Sequence, residues 1–133
     1  IYWGQSRPLL YKGNPFVDGF KMGAGAVPIK TEHGWLEIYH TVSTTCNGFI
    51  YRLKACLLDL EKPWEVLCYS DFLLWPEHEY EMKGRVANVV FACNALCDDE
   101  GNVKVYYGAS DTNIGLAEAK IDDIINACLK NKE

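Results

Sequence analysis

The 133-residue sequence has no pair of cysteines at CxxC spacing, no run of basic residues and no apolar run long enough to span a membrane. Its net charge of −5 is spread along the chain, so it lacks the electrostatic features of nucleic-acid-binding and membrane-surface proteins. The first residues of the sequence contain no apolar stretch like the h-region of a secretory leader. We therefore expect a cytoplasmic protein with neither nucleic acid nor a membrane as a partner.

The cysteines stand apart from one another, and most of them lie in apolar segments. In such surroundings a thiol acts as a small hydrophobic side chain. The spacing favours buried free thiols over a disulfide framework or a metal site, so we expect no bound metal. The six residues are Cys46, Cys56, Cys68, Cys93, Cys97 and Cys128.

One stretch, Lys21–His40, sets the pattern for the rest of the chain. It is typical of a glycine-rich strand, a polar turn and a returning strand, with a cation at each end. A varied copy follows 67 positions later, where Gly34 falls on Gly101 and His40 falls on Tyr107. A self-similar period of this length, made of short strands, is typical of a β-propeller.

Aromatic residues make up 13% of the chain, which favours strands. The sequence predicts an all-β fold with two four-stranded antiparallel blades and a C-terminal helix. Residues 1–20 form an incoming segment, residues 21–76 the first blade and residues 77–120 the second. Residues 121–133 contain apolar side chains at helical spacing and form the terminal helix. Since the chain opens on Ile1 rather than on methionine, we expect a fragment of a longer protein.

Three segments receive more specific predictions. The apolar run Val86–Asn94 is typical of a buried inner strand, so it should open the second blade. The residues before it, Glu77–Gly84, are rich in charge and predict a crossing loop between the blades. Ile1–Leu10 resembles a strand that is already in progress.

Seven short motifs, which follow one another along the chain, resemble the last two blades of the five-bladed propellers of glycoside hydrolase family 130. Members of this family are mainly β-mannoside phosphorylases. The resemblance covers nearly the whole chain. The motifs are Lys21–Gly25, Gly34–His40, Tyr51–Leu53, Leu57–Leu60, Asn88–Phe91, Tyr106–Thr112 and Ile114–Ala117.

The resemblance implies cleavage of a β-mannosidic bond by inorganic phosphate, with inversion and release of α-mannose 1-phosphate. Lys21 and His40 match a lysine and a histidine that contact phosphate, and Asp111 matches an aspartate that binds mannose hydroxyls. Tyr51 and Phe91 would wall the leaving-sugar subsite. By themselves these residues also fit a solvated lysine, a packed histidine, an Asx turn at Asp111 and two core aromatics.

The family's general acid, an aspartate, and an arginine of its phosphate site come from earlier blades, and nothing here matches them. Asp18 and Asp71 lie in loops without the family context, so we expect no catalytic residue in this chain. A non-catalytic propeller fragment and a β-mannoside hydrolase therefore remain alternatives. The expected partners are a β-mannoside oligosaccharide and phosphate as co-substrate, without a metal or organic cofactor. Open blade edges further predict a homo-oligomer or missing upstream blades.

Overall fold

A computed structural model of the chain describes residues 3–11, 13 and 17–131. Part of the expected strand Ile1–Leu10 lies outside these residues, and residues 3–11 contain no strand. The elements are β1 (Lys21–Ala24), β2 (Ile29–Thr31), β3 (Gly34–Thr45), β4 (Gly48–Leu58), β5 (Val66–Tyr69), α1 (Glu79–Met82), β6 (Val90–Cys97), β7 (Asn102–Ala109), β8 (Asn113–Lys120) and α2 (Ile121–Leu129).

The first sheet has the order β1-β3-β4-β5, and all of its pairs are antiparallel. The short strand β2 also pairs with β3, on the same edge as β1. β1 and β2 are thus two halves of one interrupted strand. The interruption contains Pro28, which has no N–H to donate to a neighbouring strand.

The second sheet differs from the expected four strands, since in the described part of the chain it has three, in the order β6-β7-β8. Its first strand begins at Val90 rather than at Val86. Asn88 has a left-handed backbone with φ of 59°, which prevents residues before it from continuing the strand. Val86 and Val89 instead form backbone hydrogen bonds with Ser110.

The main core lies between the two sheets and α2. Leu36 and Ile38 of β3 belong to it, together with Ile124 and Cys128 of α2. The other face of β3 is also buried, because Tyr39 packs in a second cluster. α2 begins at Ile121 as expected, with acidic residues in its first turn. No helix in the described ranges is long and apolar enough to cross a membrane.

The internal repeat corresponds to the two sheets. β3 and β4 of the first copy align with β7 and β8 of the second, and each hairpin is antiparallel. In both copies the residue at the end of the preceding turn is a glycine with positive φ, 140° at Gly34 and 74° at Gly101. Only glycine adopts such angles readily, which is why the turn keeps it in both copies.

The cysteines are only partly as expected. None of the six forms a disulfide in the described part of the chain, but three are buried and three are exposed. Burial, the largest cause, raises the pKa of Cys56 and Cys128 to about 12, so these thiols stay protonated. Cys93 and Cys97 are exposed residues of β6, and the irregularity of this strand between Ala92 and Asn94 falls at Cys93.

Candidate functional site

The two cations proposed from the sequence lie on neighbouring strands of the first sheet. Lys21 is the first residue of β1, and His40 lies in the middle of β3. The register places Gly23 directly opposite His40. A Cβ atom at Gly23 would lie 2.6 Å from Cε1 and 2.8 Å from Nε2 of His40. The imidazole therefore lies against bare backbone, which explains the small residues of β1.

His40 is 8% exposed, and within the described residues its Nδ1 atom has no hydrogen-bond partner. Burial lowers its pKa, and the positive charge of Lys21 lowers it further, while the backbone at Ala24 has the opposite effect. The free imidazole is therefore neutral at neutral pH. A buried polar atom without a partner is costly, so a ligand that supplied one would be favoured here.

Two aromatic side chains border Lys21 and His40. The Tyr51 ring stacks on His40 with centroids 6.0 Å apart, and Lys21 Nζ lies 5.1 Å from the centroid of the same ring. The Phe91 ring is closer, at 4.3 Å from the His40 ring. Tyr51 belongs to β4 and Phe91 to β6, so this aromatic wall is built from both sheets. Neither ring is fully buried, which argues against a purely core role.

Asp111 lies at the far end of the same region, in the turn between β7 and β8. Its side chain, with those of Tyr51 and Phe91, lines a depression of about 420 Å³. Its carboxylate faces the exposed Arg85 at 3.9 Å, a distance at which solvent screens most of the attraction. The turn is held by Thr112, whose hydroxyl accepts the Arg85 N–H and donates to the Ser110 carbonyl. The carboxylate of Asp111 therefore remains accessible from the depression.

The structure thus brings all five predicted site residues into one region across the two sheets. Sequence reasoning missed Arg85, because an exposed arginine in a loop carries no local signal. Asp18 is elsewhere, paired with Lys54 at 2.9 Å, and Asp71 lines the same separate depression as Asp18. Among the described residues, no group of three His, Cys, Asp or Glu side chains could hold a metal ion.

Comparison with known proteins shows the family to which the chain belongs. A family model described as beta-1,4-mannooligosaccharide phosphorylase matches residues 1–130. The chain is 41% identical to the beta-1,4-mannooligosaccharide phosphorylase of Ruminococcus albus over 128 residues, covering 94% of this chain and 38% of that protein. It is 46% identical to a beta-1,2-mannobiose phosphorylase of a Thermoanaerobacter species over 98 residues, covering 73% of this chain and 31% of that protein.

A solved structure gives the same result. The beta-1,2-mannobiose phosphorylase of Listeria innocua, in complex with beta-1,2-mannobiose, superposes with a TM-score of 0.87 at 36% identity. The match covers 96% of this chain and 35% of the Listeria chain. The chain therefore belongs to glycoside hydrolase family 130, and the expected all-β propeller architecture is confirmed. It spans between about 31 and 38% of the length of these relatives.

Proposed function

We propose that this chain is part of a β-mannoside phosphorylase. In this reaction an oxygen of inorganic phosphate forms a bond to the anomeric carbon of mannose, and the bond to the leaving sugar breaks with inversion. The products are α-mannose 1-phosphate and a shortened sugar that has gained a proton. The observation that carries the proposal is the pair of Lys21 and the buried His40, whose Nδ1 atom has no hydrogen-bond partner in the described part of the chain, beside an open depression.

Each residue has a distinct role in this proposal. Lys21 and His40 bind phosphate, since charge-assisted hydrogen bonds hold a multiply charged oxyanion best. Asp111 accepts hydrogen bonds from two mannose hydroxyls and so fixes the orientation of the ring. Tyr51 and Phe91 form the wall against which a sugar ring packs. None of these five residues is the general acid in this proposal, because the resemblance assigns that role to an aspartate of an earlier blade.

The proposal also covers the co-substrate, the cellular location and the oligomeric state. Phosphate is a co-substrate, and the chemistry described needs neither a metal ion nor an organic cofactor. We place the protein in the cytoplasm, where its cysteines would stay reduced. We also propose a homo-oligomer, which sedimentation of the protein at its natural length would test.

The test is turnover of mannobiose and mannooligosaccharides by the protein at its natural length, with and without phosphate. We expect α-mannose 1-phosphate only when phosphate is present. K21M and H40Q should each raise the KM for phosphate at least about tenfold, since each removes a charge-assisted contact. K30M is the matched control, because Lys30 also lies over an aromatic ring, that of Trp35, but away from the depression.

Other outcomes would favour the alternatives. Release of mannose without phosphate would indicate a β-mannoside hydrolase of the same family. Binding of mannosides without any turnover would indicate a non-catalytic propeller. Wild-type phosphate KM in both K21M and H40Q would refute the phosphate site, whatever the activity of the protein.

A further inference from the structure

The segment Glu77–Gly84, expected to be a charged crossing loop, contains a buried carboxylate. Glu81 lies in α1 and is 1% exposed. One of its oxygens accepts hydrogen bonds from the backbone N–H groups of Glu77 and His78, at 2.8 and 2.9 Å. The other accepts a short bond of 2.6 Å from the hydroxyl of Tyr107 on β7. Glu81 thus ties the connection between the sheets to the middle strand of the second sheet.

The electrostatics favour this arrangement. Burial acts to raise the pKa of Glu81, but the hydrogen bonds from His78, Tyr107 and Glu77 outweigh it and hold the pKa below its usual value. Burial and the neighbouring carboxylate raise the pKa of Tyr107, so its hydroxyl remains a donor. A donor hydroxyl facing an ionised carboxylate is a charge-assisted hydrogen bond, which is among the stronger kinds in proteins.

Backbone hydrogen bonds connect this contact to the turn that carries Asp111. Val89 donates to the carbonyl of Glu81 at 3.1 Å, and Ser110 donates to the carbonyl of Val89 at 3.0 Å. Val86 in turn donates to the carbonyl of Ser110 at 3.1 Å. The segment that α1 anchors is therefore bonded on both sides to the residue before Asp111.

The turn itself needs such support. Ser110 and Asp111 have φ angles of 48° and 52°, so two consecutive non-glycine residues are left-handed. Such conformations persist only where the surrounding contacts hold them, and they concentrate at functional sites. Tyr107 lies three residues before this turn on β7, and its ring packs against the bare backbone of Gly115 on β8.

We propose that the Glu81–Tyr107 hydrogen bond is a positioning device for the sugar site, which holds the Ser110–Asp111 turn in its left-handed form and so fixes the carboxylate of Asp111. Neither Glu81 nor Tyr107 lines the depression, so both act through Asp111. This inference rests on the proposed function, in which Asp111 binds mannose. It adds that sugar affinity, but not phosphate affinity, depends on a buried carboxylate outside the depression.

The test uses E81Q and Y107F in the protein at its natural length. Each variant should raise the KM for the mannoside about tenfold and leave the KM for phosphate within about twofold, because Lys21 and His40 lie on the other sheet. Amide hydrogen exchange at Ser110 should become faster in both. The matched control is E79Q, since Glu79 is exposed and its carboxylate pairs with Lys83, the residue that follows α1.

A double-mutant cycle separates positioning from a general loss of stability. If Glu81 acts through Asp111, adding E81Q to D111N should raise the mannoside KM by less than about twofold beyond D111N alone. Fully additive effects, or an equal rise in the KM for phosphate, would overturn the positioning role. So would wild-type mannoside KM in Y107F, which removes one hydroxyl and preserves the ring. Failure of the unmodified protein to turn over any mannoside would instead refute the proposed function.

Discussion

The substitution Gly23→Ala tests the close packing of His40 on β1. A Cβ atom at position 23 would lie 2.6 Å from Cε1 and 2.8 Å from Nε2 of His40. Carbon atoms in favourable contact are about 3.5–4.0 Å apart, so the imidazole or the strand must move by about 1 Å. Since β1 is held by its pairing with β3, we expect the imidazole to absorb most of this shift.

The expected loss is larger for binding than for stability. A displacement of about 1 Å in a group that positions a substrate can cost about 100-fold in rate. Overpacking typically costs about 1–3 kcal/mol, which is a fraction of the total stability of a domain. G23A should therefore remain folded, raise the KM for phosphate by up to about 100-fold and leave the KM for the mannoside near the wild-type value.

Steady-state phosphorolysis with phosphate and mannoside varied in turn provides the assay, together with a melting curve of each variant. The matched control is Gly115→Ala, whose Cβ would meet the Tyr107 ring at 2.3 Å on the other sheet. G115A should destabilise the protein and leave the phosphate KM unchanged. A wild-type phosphate KM in G23A would refute the reasoning, and an equal rise in both variants would indicate a general loss of structure.

Three further predictions concern protonation and stability. Because the pKa of His40 is lowered in the free protein, phosphate binding near pH 6.5 should be accompanied by uptake of a proton. This uptake should vanish in H40Q, and also in the wild-type protein once the pH falls below the lowered pKa. Calorimetry in buffers of different ionisation enthalpy measures the uptake. Leu57→Ala should cost about 2–5 kcal/mol in urea denaturation, since Leu57 is 1% exposed, and Leu67→Ala, at 39% exposed, should cost far less. Ser70→Ala should cost about 1–3 kcal/mol in the same assay, because its hydroxyl accepts the buried N–H of Ala55 at 2.8 Å; a loss below that of L67A would contradict this.

Much of the fold follows from patterns in the sequence. Alternating side chains predicted the returning strand of the Lys21–His40 stretch, and β3 begins at Gly34 as that pattern indicates. Its end was placed too early, since β3 continues beyond His40 to Thr45. Helical spacing of apolar residues gave the start of α2. The start of β6 was placed too early, since an unbroken apolar run such as Val86–Asn94 has no period that marks where pairing begins.

The candidate site was only partly predictable. The period of two along a strand puts His40 on the same side of β3 as Ile38, but the role of His40 came from resemblance to a family. The contact of His40 with Phe91 joins two sheets, so it depends on packing that a local pattern does not encode. The burial of Glu81 gave no signal either, because its partner Tyr107 lies 26 residues away in the chain.

The aromatic wall has a consequence for the mechanics of the molecule, because Tyr51 comes from one sheet and Phe91 from the other. Close by, the N–H of Tyr51 donates to the carbonyl of Asn88 across the same junction. A sugar lying against both rings would act as a reversible cross-link between the sheets. Any change that tilts one sheet against the other would therefore alter the affinity for the sugar. By reciprocal linkage, the bound sugar would oppose that tilt, and the free energy of this opposition equals the change in the binding free energy.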